Sequence, residues 1–357
     1  MRCTDNAVNQ PLTRAQLRLQ KRRRRQRRNA LLASCLFCLL LAVGSMLYYF
    51  IFRSHEISFE DPYDINHEIY GVLNLPSMTS GRAEPFTADL CVTADDVNFD
   101  GISLSYAEAG ALMDLSEHKV LFASNIHERL YPASLTKIMT ALIALKYGNL
   151  DDVITVDEIA LDIDPESSVA YLEYGDQYTL RQLIYGLLIA SGNDAGNAIA
   201  YHVGGSIENF VSMMNSEAYA IGATNTHFTN AHGLQDESHY TTPYDIYLMF
   251  REAMQYDVFA DAINQQVYVV TYTAADGEQY ERTWTSTSHY FTGEAVPPEN
   301  ITVFGGKTGT TDEAGACLSL LSKDVYGNSY FSVIMDAQTK DDLYEEMNEL
   351  LSIINKK

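Results

Sequence analysis

Cysteine is scarce in this chain, and its placement excludes one common class of metal site. The 357 residues contain five cysteines and a single tryptophan. The one CxxC spacing, formed by Cys35 and Cys38, lies inside an uncharged apolar run, so a zinc site built on paired CxxC motifs is excluded. Cys91 and Cys317 lie outside that run, where an oxidising exterior would permit a disulfide. Because nothing in the sequence brings these two residues together, we expect unpaired thiols.

Two hydrolase signatures are also absent. No G-x-S-x-G turn surrounds Ser134, which excludes a nucleophile elbow of the α/β-hydrolase type at that serine. His227, His232 and His239 do not have the H-E-x-x-H spacing of zinc peptidases. We therefore expect these three histidines to be solvated or structural residues.

Basic residues are outnumbered, 24 against 47 acidic ones, yet they are concentrated at the N-terminus. The first 28 residues carry ten lysines and arginines and only one acid. Residues 30–52 follow directly and carry no charge; at about 1.5 Å per residue they can cross a hydrocarbon core of roughly 30 Å. We therefore interpret the basic run as the cytoplasmic flank of a membrane span, with no nucleic acid as partner.

The charge pattern predicts four segments. Residues 1–29 would form a basic cytoplasmic tail, residues 30–52 a transmembrane signal-anchor, residues 53–102 an acidic stalk, and residues 103–357 one folded domain outside the cell. A cleaved signal peptide is the alternative, but the apolar run is longer than a signal core and no clean A-x-A site follows. The stalk could include short strands near residues 88–99, although we expect an irregular tether.

The most informative stretch is residues 131–145, which read YPASLTKIMTALIAL. Apolar residues recur there at helical spacing, and the pattern predicts a helix that begins near Ser134 and stops at Gly148. Lys137 then lies one turn after Ser134 on the same face. A buried lysine has a lowered pKa, so Lys137 could take the serine proton and leave a nucleophile. An isolated S-x-x-K pattern is more often a surface lysine beside a capping serine.

Two further motifs follow in order along the chain. An S-G-N motif at residues 191–193 ends an apolar run, and a K-T-G motif at residues 307–309 precedes a strand-like segment. Either one alone is typical of a helix cap or a turn. Together with S-x-x-K they match the signature of penicillin-binding proteins and class A β-lactamases.

Longer segments extend this likeness. Residues 166–195, 210–246 and 305–318 resemble the D-alanyl-D-alanine carboxypeptidases of the low-molecular-mass penicillin-binding protein type, serine peptidase family S11. The resemblance implies an α+β fold of the serine β-lactamase/transpeptidase type, with an antiparallel sheet flanked by helices and a helical subdomain. A strand pair at 106–125, a mostly helical block to about residue 255, further strands and a helix at 343–354 agree with that class. The resemblance also implies a bacterial protein, and the uncharged run at residues 30–52 predicts that it crosses the cell membrane once.

The resemblance implies a role for each motif residue. Ser134 would attack the carbonyl between the last two D-alanines of a peptidoglycan stem pentapeptide, and Lys137 would be its base. Ser191 would relay a proton to the leaving amine, and Asn193 would hold the substrate amide or Lys137. Water would then hydrolyse the acyl-enzyme, without a metal or an organic cofactor.

The same resemblance assigns the substrate-binding edge. Lys307 and Thr308 would bind the terminal carboxylate, and Gly309 would leave room for the substrate backbone. The backbone N–H groups of Ser134 and Thr310 would form the oxyanion hole. The partners implied are stem peptides and β-lactam antibiotics.

Three rival functions remain open at this stage. A class A β-lactamase would need a glutamate after the middle motif, whereas Glu166 comes before Ser191. A D,D-endopeptidase of cross-links would use the same catalytic set. A non-catalytic wall-binding relative would have lost Ser134, Lys137 or Lys307, and all three are present. The segment before Lys307, residues 284–306, departs from the family pattern and is expected to border the cleft.

Overall fold

A computed structural model describes residues 89–357 of the chain. The predicted basic tail, membrane span and most of the stalk lie outside these residues, so the four-segment division stays a prediction. Within the described range, no helix has the length and apolar character needed to cross a bilayer.

The described part of the chain alternates strands and helices. Its strands are β1 (Ala107–Asp114), β2 (Lys119–Ser124), β3 (Val153–Thr155), β4 (Gln177–Thr179), β5 (Val267–Thr273), β6 (Gln279–Thr285), β7 (Thr302–Thr311), β8 (Gly315–Lys323) and β9 (Ser329–Ala337). Its α-helices are α1 (Lys137–Tyr147), α2 (Glu158–Leu161), α3 (Leu180–Ile189), α4 (Asn193–Gly204), α5 (Ile207–Ala220), α6 (Pro243–Ala253), α7 (Asp257–Ile263), α8 (His289–Thr292) and α9 (Lys340–Ser352). A 3-10 turn, Ala133–Thr136, leads into α1, and another, Ile353–Lys356, follows α9.

A five-stranded sheet in the order β2-β1-β9-β8-β7 forms the centre of the domain, and every neighbouring pair is antiparallel. Side chains alternate between its faces. Val333 and Met335 pack into the larger core with the helices, whereas Tyr330 and Ile334 pack against α9 on the other face. The sheet is therefore covered on both sides, and β7 forms one edge.

Helix α1 lies within the larger core. All nine residues from Lys137 to Leu145 are buried, and only the last two residues of the helix, Lys146 and Tyr147, are exposed. Such a helix is stabilised by packing on all sides, here chiefly against α3, α4, α5 and α6. The 3-10 turn before α1 packs against β7.

The predicted elements are largely confirmed. The strand pair expected at 106–125 forms β1 and β2, and the mostly helical block expected to end near residue 255 contains α1 to α6, the last of which ends at Ala253. The terminal helix begins earlier than predicted, at Lys340, because Thr339 caps it by accepting the N–H of Asp342 at 3.1 Å. The α+β class is confirmed.

Three features differ from the expectation. Ser134 lies in a 3-10 turn rather than in the α-helix itself. The K-T-G motif lies inside β7 rather than just before a strand. A second antiparallel sheet, β3-β4-β5-β6, includes two three-residue strands that are too short to show a periodic pattern.

Residues 89–102 pack against the domain. The backbone N–H of Cys91 donates to the Tyr247 hydroxyl at 3.0 Å, and Val97 bridges Ala123 on β2. Cys91 and Cys317 are both buried and free. The structure therefore packs this end of the predicted stalk against α6 and the edge strand β2.

Candidate active site

The predicted motifs meet at one cleft between the edge strand β7 and the helices. Ser134 comes from the 3-10 turn before α1, the middle motif from the α3–α4 junction, and the third motif from β7. All eight predicted site residues contact one another or line this cleft: Ser134, Lys137, Ser191, Asn193, Lys307, Thr308, Gly309 and Thr310.

The nucleophile and its candidate base are in hydrogen-bonding contact. The Nζ atom of Lys137 lies 2.7 Å from the Oγ atom of Ser134. In a 3-10 turn the side chains of residues i and i+3 eclipse each other, so the turn brings this pair closer than an ordinary helical turn would. The residue before the nucleophile, Ala133, has a positive φ of 45°. Left-handed backbone at a non-glycine residue is typical of strained functional sites.

The Nζ atom of Lys137 contacts three oxygen atoms, and these contacts determine whether the lysine can act as a general base. Besides Ser134, its Nζ atom contacts Asn193 Oδ1 at 2.7 Å and the His232 carbonyl at 2.8 Å. The amide oxygen and the carbonyl can only accept hydrogen bonds. A neutral amine has two N–H donors, which these two oxygens use, and its lone pair then faces the Ser134 hydroxyl. This is the geometry of a general base.

The environment favours the neutral amine. Burial lowers the pKa of Lys137 well below its ordinary value, and the positive charge of Lys307 lowers it further, while Asp194 opposes the shift. Desolvation disfavours the ammonium ion because the side chain has no exposed surface.

The middle motif joins the two lysines. Ser191 has a positive φ of 56°, and its Oγ atom accepts a hydrogen bond from Lys307 Nζ at 2.9 Å. Asn193 begins α4 and holds Lys137. The motif therefore contacts the base on one side and the strand β7 on the other.

Asp194 supports this junction, and the sequence reading did not identify it. Its buried carboxylate accepts the N–H groups of Ala170 at 2.7 Å and Leu172 at 3.0 Å. The Ala170 carbonyl accepts the indole N–H of Trp284 at 2.8 Å. These contacts fix the segment that includes Ser168, which lines the cleft. The position of Asp194 directly after the S-G-N motif was the signal that could have found it.

Lys307 is the second buried lysine of the site. Its Nζ atom donates to Ser191 and also to the Thr308 carbonyl at 2.8 Å. Burial lowers its pKa to about 7. Near neutral pH, Lys307 is therefore divided between the ammonium and amine forms in the free protein.

Gly309 is required by the close approach of β7 to the nucleophile turn. A Cβ atom at this position would lie 3.0 Å from the Ser134 N atom and 3.0 Å from the Pro132 carbonyl. The glycine therefore keeps open the space beside the Ser134 N–H and the edge of β7. Thr310, the next residue of β7, lines the cleft together with Ser134.

The cleft has two halves that meet at Ser134 and differ in charge. The half beside β7 and α9 is lined mainly by hydroxyl groups, together with Lys340, His289, Cys317 and Leu343, and has no carboxylate in its lining. The other half is lined by four carboxylates, those of Asp164, Glu166, Asp312 and Glu313. Thr287, from the segment that departs from the family pattern, hydrogen bonds to Thr308 and lines the first half, so this segment does border the cleft.

The buried side chain of His239 hydrogen bonds to the 3-10 turn that carries Ser134. The Thr229 N–H donates to His239 Nδ1 at 3.1 Å, so the proton of the ring is on Nε2 and is donated to Thr136 Oγ1 at 2.8 Å. Thr136 in turn donates to the Ala133 carbonyl at 2.8 Å. Burial lowers the pKa of His239 to about 4, so the ring is neutral. His239 is thus a structural residue, as expected, but its contact with the turn was not predicted.

The family model for D-alanyl-D-alanine carboxypeptidases, peptidase S11, matches residues 103–339. Among curated proteins, the D-alanyl-D-alanine carboxypeptidase DacF of Bacillus subtilis is 34% identical over 69% of this chain and 61% of its own length. The carboxypeptidase DacC of Escherichia coli is 35% identical over 75% of this chain and 64% of its own length. The chain therefore spans under two thirds of the length of these relatives.

The solved structures that this chain resembles are also D,D-peptidases. The Streptomyces K15 DD-transpeptidase has a TM-score of 0.65 and 26% identity, with 70% of this chain and 97% of that one covered. A D-alanyl-D-alanine carboxypeptidase from Mycobacterium tuberculosis H37Rv has a TM-score of 0.64 and 27% identity, with 73% and 97% covered. The chain belongs to the D-alanyl-D-alanine carboxypeptidase family of serine peptidases, S11.

Proposed function

We propose that this protein is a serine-type D-Ala-D-Ala carboxypeptidase that removes the terminal D-alanine from peptidoglycan stem pentapeptides. The observation that carries the proposal is the 2.7 Å contact between Ser134 and a buried lysine whose other donors are already used. Family membership supports the substrate class. β-Lactam antibiotics, whose strained amide presents a similar carbonyl to the nucleophile, would acylate the same serine.

Acylation begins with proton transfer. Neutral Lys137 takes the hydroxyl proton of Ser134 as its Oγ atom attacks the carbonyl carbon between the two D-alanines. The carbonyl oxygen becomes an oxyanion and accepts the backbone N–H groups of Ser134 and Thr310. General-base catalysis of this kind contributes about 10²–10⁴-fold to the rate.

Collapse of the tetrahedral intermediate breaks the C–N bond. The leaving D-alanine amine needs a proton, and Ser191, which accepts a hydrogen bond from Lys307, is the relay that we propose for it. Ser191 gives its hydroxyl proton to the amine and takes in its place the proton that Lys137 removed from Ser134, so Lys137 is neutral again. An ester between the stem peptide and Ser134 remains. Water, deprotonated by Lys137, then hydrolyses the ester and restores Ser134.

Recognition of the leaving residue uses the edge of β7. The Lys307 ammonium and the Thr308 hydroxyl would bind the terminal carboxylate, since charge-assisted hydrogen bonds are stronger than neutral ones. Gly309 leaves the space through which the substrate backbone passes. Asn193 contributes by orienting Lys137.

We also propose that residues 30–52 anchor the protein in the cell membrane, with the N-terminus in the cytoplasm and the catalytic domain outside. The support is the uncharged 23-residue run with its basic flank. An epitope tag after Lys357 should be removed by protease added to intact cells, whereas a tag at the N-terminus should persist. The reverse pattern would exclude this orientation.

Mass spectrometry tests the catalytic proposal. The protein is incubated with a stem pentapeptide and, separately, with benzylpenicillin. We expect the loss of one D-alanine from the peptide and a penicillin adduct that maps to Ser134. Ser134→Ala should show neither, because Ser134 has the one hydroxyl group within residues 89–357 that contacts Lys137 Nζ.

Ser212→Ala is the matched control, because Ser212 is exposed on α5 away from the cleft. It should behave like the wild type. Turnover that persists in Ser134→Ala would overturn the mechanism. An adduct without D-alanine release would point to a D,D-endopeptidase, and no adduct at all would favour a non-catalytic relative.

A further inference from the structure

A short segment before the first strand contacts the chain on its way to the nucleophile turn. Residues 91–97, here called the strap, precede the region that the family model matches. Val97 and Ala123, on β2, exchange two backbone hydrogen bonds of 2.9 and 2.8 Å. The Thr93 carbonyl lies 3.1 Å from His127 Nε2. The strap therefore contacts the chain on both sides of the turn that ends β2.

Asp96 is the strap residue that binds this turn. One of its carboxylate oxygens accepts the N–H of Asn125 at 2.9 Å, and the other accepts the N–H of Ile126 at 3.1 Å. Ile126 is 1% exposed, so water cannot easily replace this acceptor. The carboxylate thus fixes two successive peptide groups directly after β2.

The conformation of Asn125 makes this fixation important. Its φ of 49° lies in the left-handed region, which costs free energy at a residue other than glycine. The Asn125 side chain donates to the Glu108 carbonyl at 2.7 Å, on the far side of the strand pair from the strap. Asp96 and the Glu108 carbonyl together hold the turn in this conformation, and the turn determines the direction in which the chain leaves β2.

The chain that leaves β2 leads directly to the nucleophile. Six residues after Ile126, the Pro132 carbonyl accepts the Leu135 N–H at 3.1 Å and begins the 3-10 turn. Between them, Leu130 and Thr241 exchange backbone hydrogen bonds of 2.8 and 2.9 Å. One such attachment fixes the position of the segment but leaves it free to rotate. Asp96 supplies a second attachment, so that direction and position are both fixed.

We infer that Asp96 is a positioning residue for the nucleophile: it fixes the segment that carries the 3-10 turn and thereby keeps Ser134 in the geometry required for acylation. The inference rests on the proposed function for the reaction of Ser134. Asp96 acts through the backbone and takes no part in proton transfer.

Two measurements on the full chain test this role. Asp96→Ala should lower the second-order rate constant of acylation by benzylpenicillin about fivefold, since small displacements of reacting groups are costly. It should also speed amide hydrogen exchange in residues 131–137, measured by mass spectrometry well below the unfolding midpoint. A merely structural role would lower the midpoint and change neither quantity in the folded protein. Asp96→Asn keeps one acceptor and the shape of the side chain, so it should fold and show a smaller change in the same direction.

Two control variants separate positioning from charge and from stability. Asp95→Ala removes the neighbouring exposed carboxylate and should change neither quantity. Cys91→Ala removes the buried thiol that donates to the Asp114 carbonyl at 3.3 Å. It should lower the unfolding midpoint and leave acylation unchanged.

Three results would overturn the inference: wild-type acylation in Asp96→Ala, faster exchange that stops at residue 130, or an equal loss of acylation in Asp95→Ala. Release of D-alanine from a stem pentapeptide by the wild type is measured in parallel. If the wild type neither releases D-alanine nor reacts with penicillin, the proposed function fails. Hydrogen exchange in residues 131–137 still decides whether Asp96 holds the turn, because it needs no substrate.

Discussion

The catalytic character of Lys137 arises from the chemistry of its neighbours rather than from its burial alone. Burial lowers the pKa, but it does not orient the lone pair. The amide oxygen of Asn193 and the carbonyl of His232 do so, because each can only accept a hydrogen bond. Asn193 is thus a positioning residue. Its substitution by aspartate would add a negative charge with almost no change in the shape of the side chain.

Asn193→Asp should move the pH dependence of the reaction. A carboxylate 2.7 Å from Lys137 Nζ would favour the ammonium form and raise the pKa of the lysine. Since only the neutral lysine is a base, the acid limb of kcat/KM should shift by at least about one unit to higher pH. The measurement is D-alanine release between pH 5 and 9.

Asn193→Ala is the comparison for this substitution. It removes the same acceptor without adding a charge, so it should lower kcat/KM without an upward shift of the acid limb. An acid limb in Asn193→Asp that coincides with that of the wild type would exclude Lys137 as the base.

At the scale of elements, the 3-10 turn that holds Ser134 is clamped between β7 and the loop before α6. Gly233 in that loop has a φ of 92°, and a Cβ atom there would lie 1.8 Å from the Ala133 carbonyl. The same carbonyl accepts the Thr136 hydroxyl. The loop therefore fixes the backbone from which the nucleophile and its base both project.

Gly233→Ala should damage stability and acylation together. The methyl group must displace the 3-10 turn, because the atom that it meets is backbone and not the end of a flexible side chain. We expect the rate of penicillin acylation to fall at least about tenfold, since small displacements of reacting groups are costly. Stopped-flow acylation and urea unfolding measure the two effects.

Gly222→Ala provides the control for backbone strain. Gly222 has a similar φ of 87°, but the nearest atom to an added Cβ is Leu248 Cδ1 at 3.9 Å. This variant should lose about 1 kcal/mol of stability from the left-handed conformation and keep its acylation rate. Equal acylation rates in the two alanine variants would show that the loop does not control the turn.

The elements that the sequence predicted well are those with long periodic patterns. Helix α5 has apolar residues at helical spacing, and strands β8 and β9 have continuous buried runs. The extent of strand β7 was harder to predict from the sequence, because Gly305, Gly306 and Gly309 lack the side chains whose pattern would indicate a strand. Those glycines are needed where backbone atoms approach closely: a Cβ at Gly305 would lie 2.2 Å from the Ile263 carbonyl.

The sequence predicted which motif residues form the candidate site, but not the hydrogen bonds from other segments that hold them in place. Motif order predicted that Ser134, Lys137, Ser191 and Lys307 share one site, and the hydrogen bonds from Lys137 to Ser134 and from Lys307 to Ser191 agree with that prediction. The support from Asp194 and His239 depends on segments brought together only by the folded chain. Local patterns carry no information on such contacts, which is why these two residues were missed.

At the scale of the whole molecule, the buried His239 and the partly buried His232 connect folding stability to pH. Burial lowers the pKa of His239 to about 4 and that of His232 to about 3. The unfolded chain binds protons at both residues below about pH 6.5, whereas the folded protein does not until these lower values. Falling pH therefore favours unfolding through this window, and the contribution of His239 becomes constant below about pH 4.

His239→Gln should reduce this pH dependence. Loss of the contacts with Thr136 and Thr229 destabilises the variant by a similar amount at every pH, but one of the two titrating histidines is removed. Between pH 6.5 and 4.5 the free energy of unfolding of the wild type should fall by about 2 kcal/mol more than that of the variant. Urea unfolding at several pH values measures both slopes.

His118→Gln separates burial from the general effect of losing a histidine. His118 is exposed in the turn between β1 and β2, so its replacement should leave the slope of the wild type unchanged. If His239→Gln also kept that slope, His239 would have to be protonated in the folded protein near its ordinary pKa. A protonated ring could not accept the Thr229 N–H, so the hydrogen-bond chain from Thr229 to the carbonyl before Ser134 would be absent. The stability measurement therefore tests the support of the nucleophile turn without any substrate.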